Sequence, residues 1–237
     1  MASRRISFTS DGYKLAGHLF ISAGNPKKLA FLFIQGWQGH QNLSAAETLA
    51  NLNHICMTYD MRGHGESEGD ISKFSRADFT KDATIAYDYL KQQINGDVAI
   101  GAVGSSFGSY TAILLSEKRE VCCLSLRVPA TYPNEGYNEP HLAKADPDNF
   151  VAWRMKKLGY SENHACKILH DFKGKVQIIE AEADEIVPSQ APKNYAEAVA
   201  NRNYLAYEVM KNAPHRLAND KLQAEYEKLL IEWVEKL

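Results

Sequence analysis

Val98-Ala-Ile-Gly-Ala-Val103-Gly104-Ser105-Ser106-Phe107-Gly108-Ser109-Tyr110 carries the reading of the fold. The run Val98–Val103 is short, apolar and continuous, the pattern of a strand buried on both faces. From Phe107 onward the period changes, with Phe107, Tyr110, Leu114 and Leu115 on one face of a helix. Between them Gly104-Ser105-Ser106-Phe107-Gly108 fits G-x-S-x-G in the strand–turn–helix context that pattern requires. A serine at so sharp a turn sits on strained backbone, and side chains two positions to either side would collide with neighbouring chain. The free N–H groups and dipole at the start of the helix favour negative charge beside it. Ser106 is therefore the candidate nucleophile, while Ser105 lacks the symmetric glycine flanks.

The same alternation of strand and helix extends in both directions. Ile6–Thr9 and Lys14–Ile21 flank Asp11-Gly12 and read as an opening hairpin. Leu29–Ile34, Ile55–Tyr59, Val121–Val128, Val176–Ala181 and Tyr204–Val209 are further short apolar runs. Helical segments lie between them. Ser44-Ala-Ala-Glu47 fits a capping box opening a helix to about Leu52. Phe79, Ala83, Ala86, Leu90 and Ile94 form one helical face, and Leu222, Tyr226, Leu229, Trp233 and Leu237 form a stripe near the C-terminus. A doubly wound α/β sheet with an antiparallel hairpin at its start follows. Only Pro129–Tyr160 breaks the rhythm, with four prolines and the aromatics Tyr132, Tyr137, Phe150, Trp153 and Tyr160. It is too long for an ordinary connection and reads as a small insertion or lid within one domain spanning 1–237.

Composition narrows the function. The 237 residues are 45% hydrophobic and 24% charged, enough for a sizeable core. With 27 Lys+Arg against 29 Asp+Glu, the net charge of -2 gives no electrostatic reason to expect nucleic acid or an anionic membrane as partner. Cys56, Cys122, Cys123 and Cys166 contain no C-x-x-C pair and read as packing residues, the adjacent two pointing to opposite faces of a strand. The N-terminus has two arginines but no apolar stretch behind them, and no run approaches a membrane span. A soluble, reducing, cytoplasmic setting is the default expectation. Nothing in the sequence assigns an oligomeric state.

A serine hydroxyl needs a base. His215, in Asn212-Ala213-Pro214-His215, follows the last strand run and so falls at the carboxyl edge of the sheet, where open α/β folds bind ligands. His18 and His54 occupy strand positions, and His164 and His170 a helix remote from any nucleophile motif. His40 and His64 lie on loops at the correct edge but precede the serine, and only His215 fits the order Ser…Asp…His. The acid falls in Glu180-Ala-Glu-Ala-Asp184-Glu-Ile-Val-Pro188, where Asp184 sits past the strand in a loop closed by Val-Pro. Glu182 and Glu185 read as solvated charges. A fourth element, Gln35-Gly36-Trp37-Gln38-Gly39, follows the run Leu29–Ile34 and offers the Trp37 N–H, with that of Phe107, as an oxyanion hole. Arg127, late in an apolar strand, reads either as a ligand for a substrate carboxylate or as the partner of a structural acid.

Together these residues closely resemble the α/β-hydrolase family. Asp60-Met-Arg62-Gly63-His64-Gly65-Glu-Ser67 is similar to the D-x-R-G-x-G-x-S turn after the family's fourth strand, and Asp184-Glu-Ile-Val-Pro188 to its D-x-x-V-P around the acid. The resemblance implies a mostly parallel twisted sheet of about eight strands with helices on both faces and a short insertion or lid, residues 129–160, after the sixth strand. It implies catalysis by Ser106, Asp184 and His215, oxyanion donors on Trp37 and Phe107, and neither metal nor organic cofactor. Gln35-Gly36 stands where the family commonly has His-Gly, Ala181 where a glycine precedes the acid loop, and Pro214 where one precedes the histidine. The reading that follows is a serine carboxylesterase acting on small-molecule esters with small to medium acyl or aryl groups. A peptidase or amidase of the same fold and a catalytically silent hydrolase-like binding protein are its rivals.

Overall fold

The computed structural model of the chain describes residues 2–21, 24, 26–141 and 147–237. β1 (Ala2–Ser10) and β2 (Tyr13–Ile21) form the antiparallel hairpin. Asp11 and Gly12 both take positive φ, 49° and 85°, the geometry whose twist matches the flanking strands. Six further strands follow: β3 (Leu29–Ile34), β4 (Ile55–Tyr59), β5 (Ala99–Ser105), β6 (Val121–Arg127), β7 (Lys175–Ala181) and β8 (Leu205–Met210). The eight form one sheet in the order β1-β2-β4-β3-β5-β6-β7-β8, parallel from β4 through β8. This is the α/β-hydrolase fold, a mostly parallel eight-stranded sheet with helices on both faces. Every apolar run that the sequence marks as a strand becomes one, displaced at its ends by at most two residues except at β1, which begins four residues before Ile6.

Strands enclosed on both faces need apolar side chains at every position, and β3 shows why. Ala30, Leu32 and Ile34 face one core, while Phe31 and Phe33 face the other. The first core is closed by α2 (Arg76–Gln93), α3 (Phe107–Lys118), α5 (His164–Asp171) and α6 (Gln190–Ala198), and the second by α1 (Leu43–Asn51) and α7 (Asp220–Val234). α4 (Pro147–Arg154) lies in the segment between β6 and α5. No described helix is long and apolar enough to cross a membrane.

Four local expectations need correction. α1 is capped by Asn42, whose side chain accepts from Ala45 N–H, so Ser44 is already inside the helix and its hydroxyl donates to Glu227 Oε1 of α7 at 2.6 Å. A true capping box opens α2, between Ser75 and Asp78. In α7 the buried stripe is Tyr226, Leu230, Trp233 and Val234, and Leu237 lies beyond the helix, 41% exposed. His54 precedes β4 and is buried, its Nδ1 2.8 Å from the Leu29 carbonyl. Cys122 and Cys123 do not point to opposite faces. The β5–β6 register shifts between Ile100 and Ala102, and this bulge brings the two thiols 3.7 Å apart against one core.

The D-x-R-G-x-G-x-S turn after β4 is held by buried charge. The side chains of Arg62 and Asp82 are 2% and 0% exposed and meet at 2.6 Å, with Asp11, Asp78 and the Ser10 hydroxyl completing the guanidinium's partners. Those partners hold Arg62 above its usual pKa in spite of burial. Losing one member of such a pair strands the other, at a cost of about 3–5 kcal/mol. Arg62→Ala is expected to lower the melting temperature by on the order of 10 °C. A calorimetric shift within a degree or two would contradict this reading of the pair.

Candidate active site

Ser106 lies between β5 and α3, at the N-cap of the helix, with φ 55° and ψ -114°, a conformation rarely adopted by a residue with a side chain. The flanking glycines are needed because the chain passes close by. A Cβ on Gly104 would lie 2.5 Å from the Gly108 oxygen, and one on Gly108 would lie 2.1 Å from the Ile34 oxygen. The turn is fixed from β6 as well, by Ser106 N–H donating to the Arg127 carbonyl at 2.8 Å.

The structure brings the three sequence-selected side chains together. His215 Nε2 lies 3.1 Å from Ser106 Oγ, and His215 Nδ1 lies 2.8 Å from Asp184 Oδ2. A carboxylate only accepts, so Nδ1 carries the proton and Nε2 is left to accept from the serine. Asp184 Oδ1 accepts from Ile186 and Val187 N–H at 2.8 and 2.7 Å, so the acid is held by its own loop. Both side chains are buried. Each element arrives on the carboxyl edge of a parallel strand: Ser106 from β5, Asp184 from β7 and His215 from β8.

Glu182 and Glu185, read from sequence as solvated charges, have structural partners. Glu182 accepts from Asn212 N–H at 2.9 Å and Glu185 from His215 N–H at 3.1 Å. With Ala183 N–H donating to the Ala213 carbonyl at 2.9 Å, they tie the histidine loop to the acid loop. Arg127 is not the partner of a structural acid. Its Nη1 donates to the His215 carbonyl at 2.9 Å and its Nη2 to the Ser105 hydroxyl, with no ion pair among the described residues.

The loop after β3 lies against the serine. A Cβ on Gly36 would come within 3.4 Å of Ser106 Cβ, and the Trp37 ring sits edge-on to Phe107 with centroids 5.4 Å apart. Neither the Trp37 nor the Phe107 amide makes a hydrogen bond among the described residues. Gln35, in the position where the family commonly has histidine, is buried. Its Nε2 donates weakly to the Gly39 carbonyl at 3.4 Å, and its Oε1 has no hydrogen-bond partner. His64, set aside in sequence because it precedes the serine, supports this loop. Its Nδ1 faces the Arg62 carbonyl at 3.1 Å and its Nε2 accepts from Gln38 N–H at 3.2 Å, a neutral tautomer that burial favours by lowering its pKa.

Residues 142–146 of the 129–160 segment lie outside the described residues. Its aromatics divide between packing and the lining of a cavity. Tyr132 is buried against Phe107 and Tyr110, with centroids at 5.5 and 4.9 Å, and packs the segment onto the body. Phe150 and Trp153 line a cavity of about 330 Å³ together with Arg76, Pro133, His141 and Lys156. His141, missed in the sequence, meets the Trp37 ring edge-on with centroids 4.4 Å apart. Burial, with the charges of Arg76 and Arg154, pushes its pKa down to about 4. Among the described residues no group of three or more histidines, cysteines or acids is arranged to hold a metal ion.

Residues 26–171, more than half of the chain, match the family described as serine aminopeptidase, S33. No curated protein sequence matches the chain. Solved structures share the fold, three of them as follows. Est1E from Butyrivibrio proteoclasticus with ferulic acid bound has a TM-score of 0.72 at 18% identity over 97% of this chain and 99% of that one. An alpha-beta serine hydrolase homologue from Coxiella burnetii has a TM-score of 0.72 at 17% identity over 98% and 97%. The Pyrococcus furiosus esterase Pf2001 has a TM-score of 0.71 at 18% identity over 99% and 92%.

Two outcomes follow from these contacts. Gly108→Ala drives a methyl group into the Ile34 carbonyl, so loss of soluble protein, or of probe labelling at Ser106, is expected; a soluble, reactive variant would contradict the packing. His141 is folded in neutral form, so its contribution is present above about pH 6.5 and is lost as the pH falls toward 4. The melting temperature of His141→Phe should fall less between pH 7 and 4.5 than that of the wild type, and an equal fall would contradict the burial argument.

Proposed function

The chain belongs to the family described as serine aminopeptidase, S33, within the α/β-hydrolases, and we propose that it is a serine hydrolase cleaving carboxylic esters of small to medium acyl or aryl groups. The observation that carries the reading is the continuous chain of contacts from Ser106 Oγ through His215 to Asp184, at 3.1 and 2.8 Å. Ser106 Oγ–H gives its proton to His215 Nε2 as the oxygen attacks the acyl carbonyl, and Asp184 stabilises the imidazolium that forms. The free Trp37 and Phe107 amides receive the tetrahedral oxyanion. His215 then protonates the leaving alcohol, and water activated by the same imidazole releases the acyl group from Ser106. The chemistry is complete with side chains and amides alone. Phe150 and Trp153, which share a cavity with His141, supply an apolar wall for the acyl or aryl portion.

An amide reading is favoured by one observation, the description of the matched family as an aminopeptidase. Charge near the site favours the ester. An aminopeptidase substrate presents a protonated amine, whereas the groups whose charges reach His141 are the cations Arg76 and Arg154. The esterase from Pyrococcus furiosus and the ferulic acid held by Est1E also support an ester or aryl-acid substrate here.

A panel of aryl and alkyl esters set beside aminoacyl amides separates the two. Ester hydrolysis that disappears in Ser106→Ala is expected, with amide turnover far weaker. Asp184→Asn is expected to lower kcat by about 10⁴ with binding retained, because the imidazole loses its tautomer control. Absence of Ser106-dependent turnover on both sets would defeat the hydrolase reading and favour a binding protein.

A further inference from the structure

We propose that Arg127 is a positioning residue that sets the distance between Ser106 and His215, an inference that rests on the triad reading above. Arg127 ends β6 and is the register partner of Ser105 at the end of β5. Its own carbonyl accepts from Ser106 N–H at 2.8 Å and from the Ser109 hydroxyl at 3.0 Å, so its main chain holds the nucleophile turn. Its side chain reaches the other way. Nη1 donates to the His215 carbonyl at 2.9 Å, Nη2 donates to the Ser105 hydroxyl, and the guanidinium lies over the Tyr226 ring at 5.7 Å.

This arrangement is expensive for a structural role. Nε is buried without a hydrogen-bond partner, and no carboxylate lies within ion-pair distance among the described residues. Burial alone draws the guanidinium's pKa down. Asp184 and Tyr226 oppose this burial through their fields and not by ion-pair contact, and an apolar side chain of similar volume would carry no buried charge at all. The next residue adds strain, for Val128 is β-branched and has φ 41°.

What the arrangement supplies is the missing brace between two loops. The histidine loop is tied to the acid loop by hydrogen bonds through Glu182, Ala183, Asp184 and Glu185. Between the histidine loop and the nucleophile turn, the described residues make only the Ser106–His215 contact itself and the bridge through Arg127. Arginine suits this bridge because its planar fork directs two donors at two fixed acceptors, whereas a lysine ammonium is a single mobile donor group.

The test is the rate at which a fluorophosphonate labels Ser106 in folded protein, with KM and kcat for an aryl ester measured alongside. Displacing reacting groups by about 1 Å costs about 100-fold, so Arg127→Ala should label about 100-fold more slowly, lose kcat to match and keep its KM. Added guanidinium ion, below denaturing concentration, should restore part of the rate, and sodium chloride at equal ionic strength should not. A wild-type labelling rate in folded Arg127→Ala, or a loss indifferent to guanidinium, overturns the proposal. Ser105→Ala covers the case in which Arg127→Ala does not fold: removing one charged hydrogen bond should slow labelling about ten-fold, and an unchanged rate overturns the proposal. Wild-type protein that fails to label would instead refute the Ser106 reading on which this one rests.

Discussion

The backbone of Ser106 at φ 55° is the constraint to which the rest of the site is fitted. A residue with a side chain persists there only when its surroundings over-determine it. Here they do so from three sides. β3 presses against Gly108 closely enough that no Cβ fits, α3 begins at the next residue, and the Arg127 carbonyl takes the Ser106 amide. The parallel sheet makes this possible by delivering β5, β7 and β8 to one edge, so that residues 109 positions apart meet at hydrogen-bonding distance.

Buried charge is used in two different ways. Far from the serine, Arg62 is compensated by Asp82 and closes the turn after β4, a pairing whose loss would strand a carboxylate. At the nucleophile turn Arg127 bonds to the His215 carbonyl, and around Tyr132 Arg76 bonds to the Pro133 and Glu135 carbonyls and Arg154 to the Ile186 carbonyl, none of them in an ion pair among the described residues. Local rules of stability are broken most often where function requires it.

Much of this was legible in the sequence because it is local. Strand runs, the change of period at Phe107 and the glycines around Ser106 are all written within a dozen residues. The order Ser106, Asp184, His215 and their positions past successive strands selected the three side chains that the structure brings together. What escaped was set by contacts distant in sequence. Nothing near Arg127 announces that it will meet His215, 88 positions away. Glu182 and Glu185 are exposed as the sequence suggests, but nothing local shows that they also accept from the histidine loop. His64 was discarded on chain order, although its work is to hold the loop that carries Trp37. At Cys122 and Cys123 an ideal alternation failed because a bulge is invisible to a period of two.

The central claim is that Ser106 forms an acyl-enzyme. Rapid mixing with an aryl ester, acid quench and peptide mass mapping tests it most directly. A transient acyl adduct on the peptide containing Ser106, absent in His215→Ala, is the predicted result. Ester turnover with no adduct at any time, or an adduct confined to another residue, would contradict the account.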